Sequence, residues 1–271
     1  MDKRPIGVFD SGLGGLTAVR ELKRLLPGES IVYFGDTGRV PYGSRSRDTL
    51  IKYARQDVAF LGTFDLKAVV IACGTVSTTA LETLEGESAL PLFGVVEPAV
   101  REAAAATRSG KIGVIGTQAT IRTGAYEGQI TALLPQARVT ALACPLFVPL
   151  VENGRFHPGD SVVETVVAEY LAPIKEAGVD TLVLGCTHYP LLTEVIGAYM
   201  GPGVTLVNSG AACARRVAAV LGERGALADA AREGARRYFV SDSVEGFSDL
   251  ATVFLGEDVH GEVEQVDITK Y

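Results

Sequence analysis

The chain carries no excess of positive charge: 25 Lys and Arg stand against 32 Asp and Glu, a formal net charge of −7. That balance argues against a general nucleic-acid or anionic-membrane surface. It leaves room for a small anionic substrate, because backbone amides at helix starts bind anions without Lys or Arg. Long apolar runs are also missing. The longest, residues 141–151, is broken by Pro145 and Pro149 and is too short to span a bilayer. Met1 runs straight into Asp2-Lys3-Arg4 with no apolar leader, so the expected compartment is cytoplasmic. Cysteine is scarce. Cys73, Cys144, Cys186 and Cys213 form no CxxC pair, which argues against a disulfide frame there. Histidine is scarcer: only His188 neighbours a cysteine, while His157 and His260 lie in unrelated contexts, so no metal is expected. No stretch reads as a disordered linker, and 47% hydrophobic with 21% charged residues suits a globular protein.

What is present is an alternation of strand and helix signals. Residues 6–9 read as a buried strand, and Asp10-Ser11-Gly12-Leu13-Gly14-Gly15 turns into a helix with Leu16, Val19, Leu22, Leu25 and Leu26 on its apolar face. Strands follow at 30–34, 67–72 and 91–96, with helices at 47–61 and 78–85. Arg39 and Arg45, on either side of Tyr42 and Gly43 in the loop after the second strand, read as solvated. A second round opens at Ile112-Gly113-Val114, matching Ile6-Gly7-Val8. It predicts strands at 138–143, 182–184 and 204–207 and helices at 162–176, 191–200, 211–221 and 226–237. Residues 238–240 and 247–255 then return to the first domain. Such alternation predicts an α/β fold with mostly parallel sheets.

Two cysteines stand at strand ends in similar frames: Cys73 after Val70-Ile71-Ala72, and Cys186 after Leu184-Gly185. Each is followed by a hydroxyl, Thr75 and Thr187, and His188 comes two residues after Cys186. A thiol at a helix start is expected to shift toward thiolate. Two thiols flanking one carbon can act as acid and base on opposite faces, which inverts that carbon. Cys144, before a proline, and Cys213, within an Ala-rich helix, read as small buried hydrophobes. Asp10, Glu152 and His188 are candidates to tune or relay protons. The plainer alternatives are a helix cap for Asp10 and a surface carboxylate for Glu152.

Taken together, Phe9–Gly15, Pro41-Tyr42-Gly43, Ala72-Cys73, Gly94–Pro98, Pro149–Glu152 and Leu184–Pro190 resemble the glutamate racemases, cofactor-independent members of the aspartate/glutamate racemase superfamily. The resemblance implies two pseudo-symmetric, mostly parallel-sheet α/β domains with the active site in the cleft between them. Residues 1–97 plus 208–271 would form the first and 98–207 the second. It implies interconversion of L- and D-glutamate without a cofactor, supplying D-glutamate for peptidoglycan synthesis. Cys73 would take the α-proton from D-glutamate and Cys186 from L-glutamate. Asp10, Ser11, Tyr42, Gly43, Gly74, Thr75, Thr117, Thr120, Thr187 and His188 fall at substrate-binding positions. A homodimer is compatible with this reading. The family usually has Asn where this chain has Gly74, and commonly Asp where it has Asn208. An aspartate racemase, a one-cysteine decarboxylase and a binding protein without turnover are the alternatives.

Overall fold

The structure, a computed structural model, describes residues 1–259 and 262–271; His260 lies outside the described residues. In the first half the elements run β1 (Ile6–Asp10), α1 (Leu16–Leu25), β2 (Ile31–Gly35), α2 (Arg47–Leu61), β3 (Ala68–Ile71), α3 (Gly74–Thr79), α4 (Leu81–Glu87), β4 (Leu92–Gly94) and α5 (Val96–Ala106). There follow β5 (Lys111–Gly116), α6 (Gln118–Arg122), α7 (Ala125–Leu133), β6 (Arg138–Ala143), α8 (Phe147–Glu152), α9 (Ser161–Glu176), β7 (Thr181–Leu184), α10 (Thr193–Met200) and β8 (Thr205–Asn208). The chain closes with α11 (Ser209–Glu223), β9 (Arg236–Val240), α12 (Val244–Leu255) and β10 (Val263–Gln265).

These strands form two parallel sheets, ordered β10-β9-β2-β1-β3-β4 and β6-β5-β7-β8. β1, β2, β3 and β7 are buried along their whole length, as their unbroken apolar runs require in sheets covered on both faces. In each sheet the chain runs out to one side of its first strand and returns to the other. β1 lies between β2 and β3, and β5 between β6 and β7. Such a reversal opens a crevice at the carboxyl ends of the strands. The registers match: Phe9 pairs with Ile71, and Ile115 with Leu184. Cys73 and Cys186 each follow two residues beyond the paired position on the second strand. The repeat in the sequence is thus a repeat in space.

Local chemistry sets several boundaries. Ser46, Thr117, Asp160 and Asn208 cap the helices they precede with side-chain oxygens. Asn208 accepts from the Ala211 amide at 3.1 Å, so the departure from Asp keeps a capping oxygen. Three expectations need correction. The helix expected at 78–85 is two short helices, α3 beginning right after Cys73 and then α4. The strand expected at 91–96 stops at Gly94, because Val96 already begins α5. The helix expected at 226–237 does not form: residues 226–235 are irregular, and β9 starts at Arg236.

Tertiary partners override the Ala-rich pattern of that last segment. Lys67 and Glu29, both buried, lie 2.5 Å apart. The Lys67 ammonium also donates to the carbonyls of Asp2 and Ala226 at 2.9 Å each, while the Ala228 amide donates to Glu29 Oε1 at 2.8 Å. Farther along, the Gly234 amide donates to the Pro27 carbonyl at 3.0 Å and the Ala235 amide to Ser30 Oγ at 3.1 Å. Backbone groups that a helix would pair internally are therefore taken up by this buried pair and the turn before β2. Removing one charge strands the other in the core, so Lys67→Ala is expected to cost about 3–5 kcal/mol in urea unfolding. A Lys67→Met/Glu29→Met double variant is expected to recover most of that loss.

Candidate active site

The carboxyl ends of the two sheets enclose a cavity of about 440 Å³. Its wall includes Ser11, Tyr42, Gly43, Cys73, Gly74 and Thr75 from the first sheet's side, and Thr117, Thr120, Glu152, Cys186, Thr187 and His188 from the second's. Of the candidate residues, only Asp10 does not line it. Asp10 is buried at the end of β1, where its Oδ2 accepts from the Gly12 amide at 3.2 Å and its Oδ1 has no hydrogen-bond partner among the described residues. Burial pushes its carboxyl up, against the pull of His188 and of the Gly15, Gly12 and Ser11 amides.

The two thiols sit in unlike settings. Cys73 donates to Ser11 Oγ at 3.3 Å. Burial, with the charge of Asp10 second, pushes its thiol up to about 12, and the hydrogen bonds to Ser11 and the Val76 amide recover only part. Cys73 is therefore held as a thiol, not drawn toward thiolate as its place at a helix start suggests. Desolvation outweighs the amides there. Cys186 instead lies 4.0 Å from His188 Nδ1, and His188 Nε2 is 3.0 Å from Glu152 Oε1. Burial alone would discharge the ring. Its hydrogen bonds to Cys186 and Glu152, together with their charges, outweigh that and raise His188 to about 10. The ring thus sets positive charge next to Cys186 Sγ.

The Thr187-His188 segment is packed from three directions. A Cβ on Gly14 would lie 2.3 Å from Thr187 Oγ1 and 2.5 Å from His188 Nδ1, so glycine is needed for this close approach. The ring of Phe254, on α12, meets the imidazole edge to face at 5.3 Å between centroids. Thr17 Oγ1 lies 2.8 Å from the Thr187 carbonyl oxygen, tying α1 to the second sheet.

Hydroxyls join the walls elsewhere. Thr75 Oγ1 lies 3.1 Å from Thr117 Oγ1, which lies 3.0 Å from Thr120 Oγ1. At Gly74 a Cβ would come within 2.5 Å of the Gly185 carbonyl oxygen. The two cysteine-bearing turns thus touch backbone to backbone at the position where the family carries Asn.

The loop after β2 differs from its expected solvated form. Arg39 is half-buried and pairs with Asp36 at 2.6 Å and Asp57 at 2.8 Å, whereas Arg45 is exposed. Tyr42 directs its hydroxyl to these carboxyls, away from the cavity. The lining also holds residues that sequence reasoning did not place there, among them Gln118, Cys144, Val148 and Pro149. Cys144 follows β6 at the same sheet edge as Cys186, and that position was the available signal. Cys213 is a buried thiol packed in the core and is not part of the cavity lining.

A cavity with two thiols from equivalent strand ends, an imidazole–carboxylate pair on one of them and hydroxyls around it is equipped for proton transfer at a small polar molecule. Comparison with known proteins agrees with that equipment. The model of the Asp/Glu/Hydantoin racemase family matches residues 17–217. The chain is 47% identical over 268 residues to a glutamate racemase of Geobacter metallireducens, covering 99% of this chain and 98% of that protein. It superimposes on the glutamate racemase isoform RacE1 of Bacillus anthracis with a TM-score of 0.93, at 39% identity and 98% coverage of both chains. The glutamate racemase of Francisella tularensis, solved in complex with D-glutamate, gives 0.90 at 36% identity over the whole of both chains. On its sequence, its two parallel sheets and the cavity between them, the chain belongs to the Asp/Glu/Hydantoin racemase family.

Proposed function

We propose that this protein interconverts L- and D-glutamate, with Cys73 and Cys186 as the acid and base on opposite faces of the α-carbon. The observation that carries this reading is the placement of both thiols, two residues beyond register-matched strand positions, on one cavity. Cys186 removes the α-proton of L-glutamate while Cys73 protonates the other face; D-glutamate reverses the roles. The resting chemistry suits the first direction, since Cys73 retains its proton and Cys186 faces a charged His188.

His188 and Glu152 act on the Cys186 side, and Asp10 and Ser11 on the Cys73 side. Ser11, Gly43, Gly74, Thr75, Thr117, Thr120, Thr187 and His188 form the substrate wall, with hydroxyls and backbone amides holding the carboxylates in place of an Arg clamp. Tyr42 contributes its place in the turn. Residues 1–97 with 208–271 form one domain and 98–207 the other, and the cleft between them is the site. D-glutamate made in the cytoplasm would enter peptidoglycan synthesis and so support the cell wall and cell shape. The named relatives, all glutamate racemases, support the choice of substrate.

The direct test follows the circular dichroism of L-glutamate and of L-aspartate with purified protein. Glutamate is expected to racemise with kcat/KM higher than aspartate by roughly tenfold or more, the size of a one-methylene discrimination. No decay with glutamate, or an equal preference for aspartate, would contradict the assignment. A second prediction concerns pH. His188 has a raised folded-state value, about 10 against 6.5, so its stabilising contribution is full below about pH 6.5 and falls as pH climbs through about 10. Urea unfolding should accordingly show the stability gap between the wild type and His188→Gln narrowing across that range.

A further inference from the structure

Behind the Tyr42–Ser44 turn lies a polar cluster that the proton transfers do not use. Asp36 and Asp57 are both fully buried, and among the described residues the Arg39 guanidinium is the cation paired with both of them. Arg39 Nε donates to Asp36 Oδ2 and Nη2 to Asp57 Oδ1, while Nη1 donates to Gln56 at 2.6 Å. Below the guanidinium is the Tyr53 ring, 4.1 Å from its carbon. Ser241, just past the end of β9, donates to Asp36 Oδ1 at 2.7 Å. Asp10 is the further charge acting on Asp57.

The hydrogen count singles out this cluster. The Tyr42 oxygen contacts Asp36 Oδ2 and also lies 3.2 Å from Asp57 Oδ2. A phenol has one proton to give, so with both carboxyls ionised one of these contacts would hold no hydrogen. The cluster would also carry a buried net negative charge beside a site for an amino acid with two carboxylates. One extra proton removes both faults: each Tyr42 contact then holds a hydrogen and the cluster is neutral.

We propose that Asp36 and Asp57 hold one proton between them and, through Arg39 and Tyr42, act as positioning residues that fix the Tyr42–Ser44 turn in the cavity wall. Burial, then the charge of Asp36, raises Asp57 well above the ordinary carboxylate range, in keeping with that geometry. Gly43, which sits in the turn so held, has Thr117 across the cavity, with 3.7 Å between a Cβ built at Gly43 and that of Thr117. The cluster thus sets one side of the substrate's space without touching the substrate. The kinetic part of this inference rests on the racemase reading; the proton count does not.

Infrared spectroscopy of the whole protein at about pH 8, where ordinary carboxyls are ionised, tests the count directly. The wild type is expected to show a carbonyl stretch of a protonated carboxylic acid that Asp36→Asn and Asp57→Asn each remove, because a lone carboxylate facing Arg39 ionises. Loss in both single variants is the mark of a shared proton, a band that survives in one of them overturns the sharing, and any band from Asp10 cancels in the difference. A wild type with no such band, or one that keeps it in both variants, overturns the proposal. In kinetics, Arg39→Met is expected to raise KM for glutamate roughly tenfold with kcat changed less than about threefold, the pattern of lost positioning. An unchanged KM would overturn the positioning role. Should the wild type fail to racemise glutamate, the functional reading falls, and the infrared band still decides the carboxyl pair.

Discussion

Setting two sulfurs on either side of one carbon constrains the backbone before it constrains the chemistry. No single βα turn can do it, because all strand ends of one parallel sheet face the same way. Two sheets must present equivalent edges to each other, and the contacts across the gap must be tight enough to fix its width. Here the gap is closed by backbone and small side chains. Gly74 rests against Gly185, Gly14 against Thr187 and His188, and Thr75 against Thr117. Each is a contact that one added carbon or one lost hydroxyl would disturb, which is why glycine and threonine crowd these turns.

Within that frame the surroundings of the two cysteines are built from different physics. Cys73 is buried and lies near the buried carboxyl of Asp10, both of which favour the neutral thiol. Around Cys186, an imidazole held by Glu152 supplies positive charge beside the sulfur. A symmetric fold thus carries an asymmetric charge distribution.

Much of this was legible in the residues. The continuous apolar runs named the buried strands, and the recurrence of Ile-Gly-Val with a later strand-end cysteine revealed the repeat that the strand registers realise. Cys73, Cys186 and their neighbours were identifiable because sheet topology gathers strand ends. Contacts distant in sequence were not legible. Arg39 read as solvated because its partner Asp57 lies on a helix beginning several residues later. The 226–235 segment read as helix because nothing local announces the Lys67–Glu29 pair that occupies its backbone groups. The state of Cys73 was misjudged for a related reason: a helix start is visible in sequence, whereas the depth of burial and the charge of Asp10 emerge only with the fold.

The central claim is that each cysteine serves one face of the α-carbon. It is tested most directly by half-reactions on L and D glutamate analogues carrying a leaving group on the carbon next to Cα, which eliminate once the α-proton is lost. Cys73→Ser, which retains Cys186, is predicted to eliminate from the L analogue and leave the D analogue nearly untouched. Cys186→Ser should show the opposite preference, serine being a far weaker acid and base near neutral pH. The same enantiomer preference in both variants would contradict the assignment of one thiol to each face.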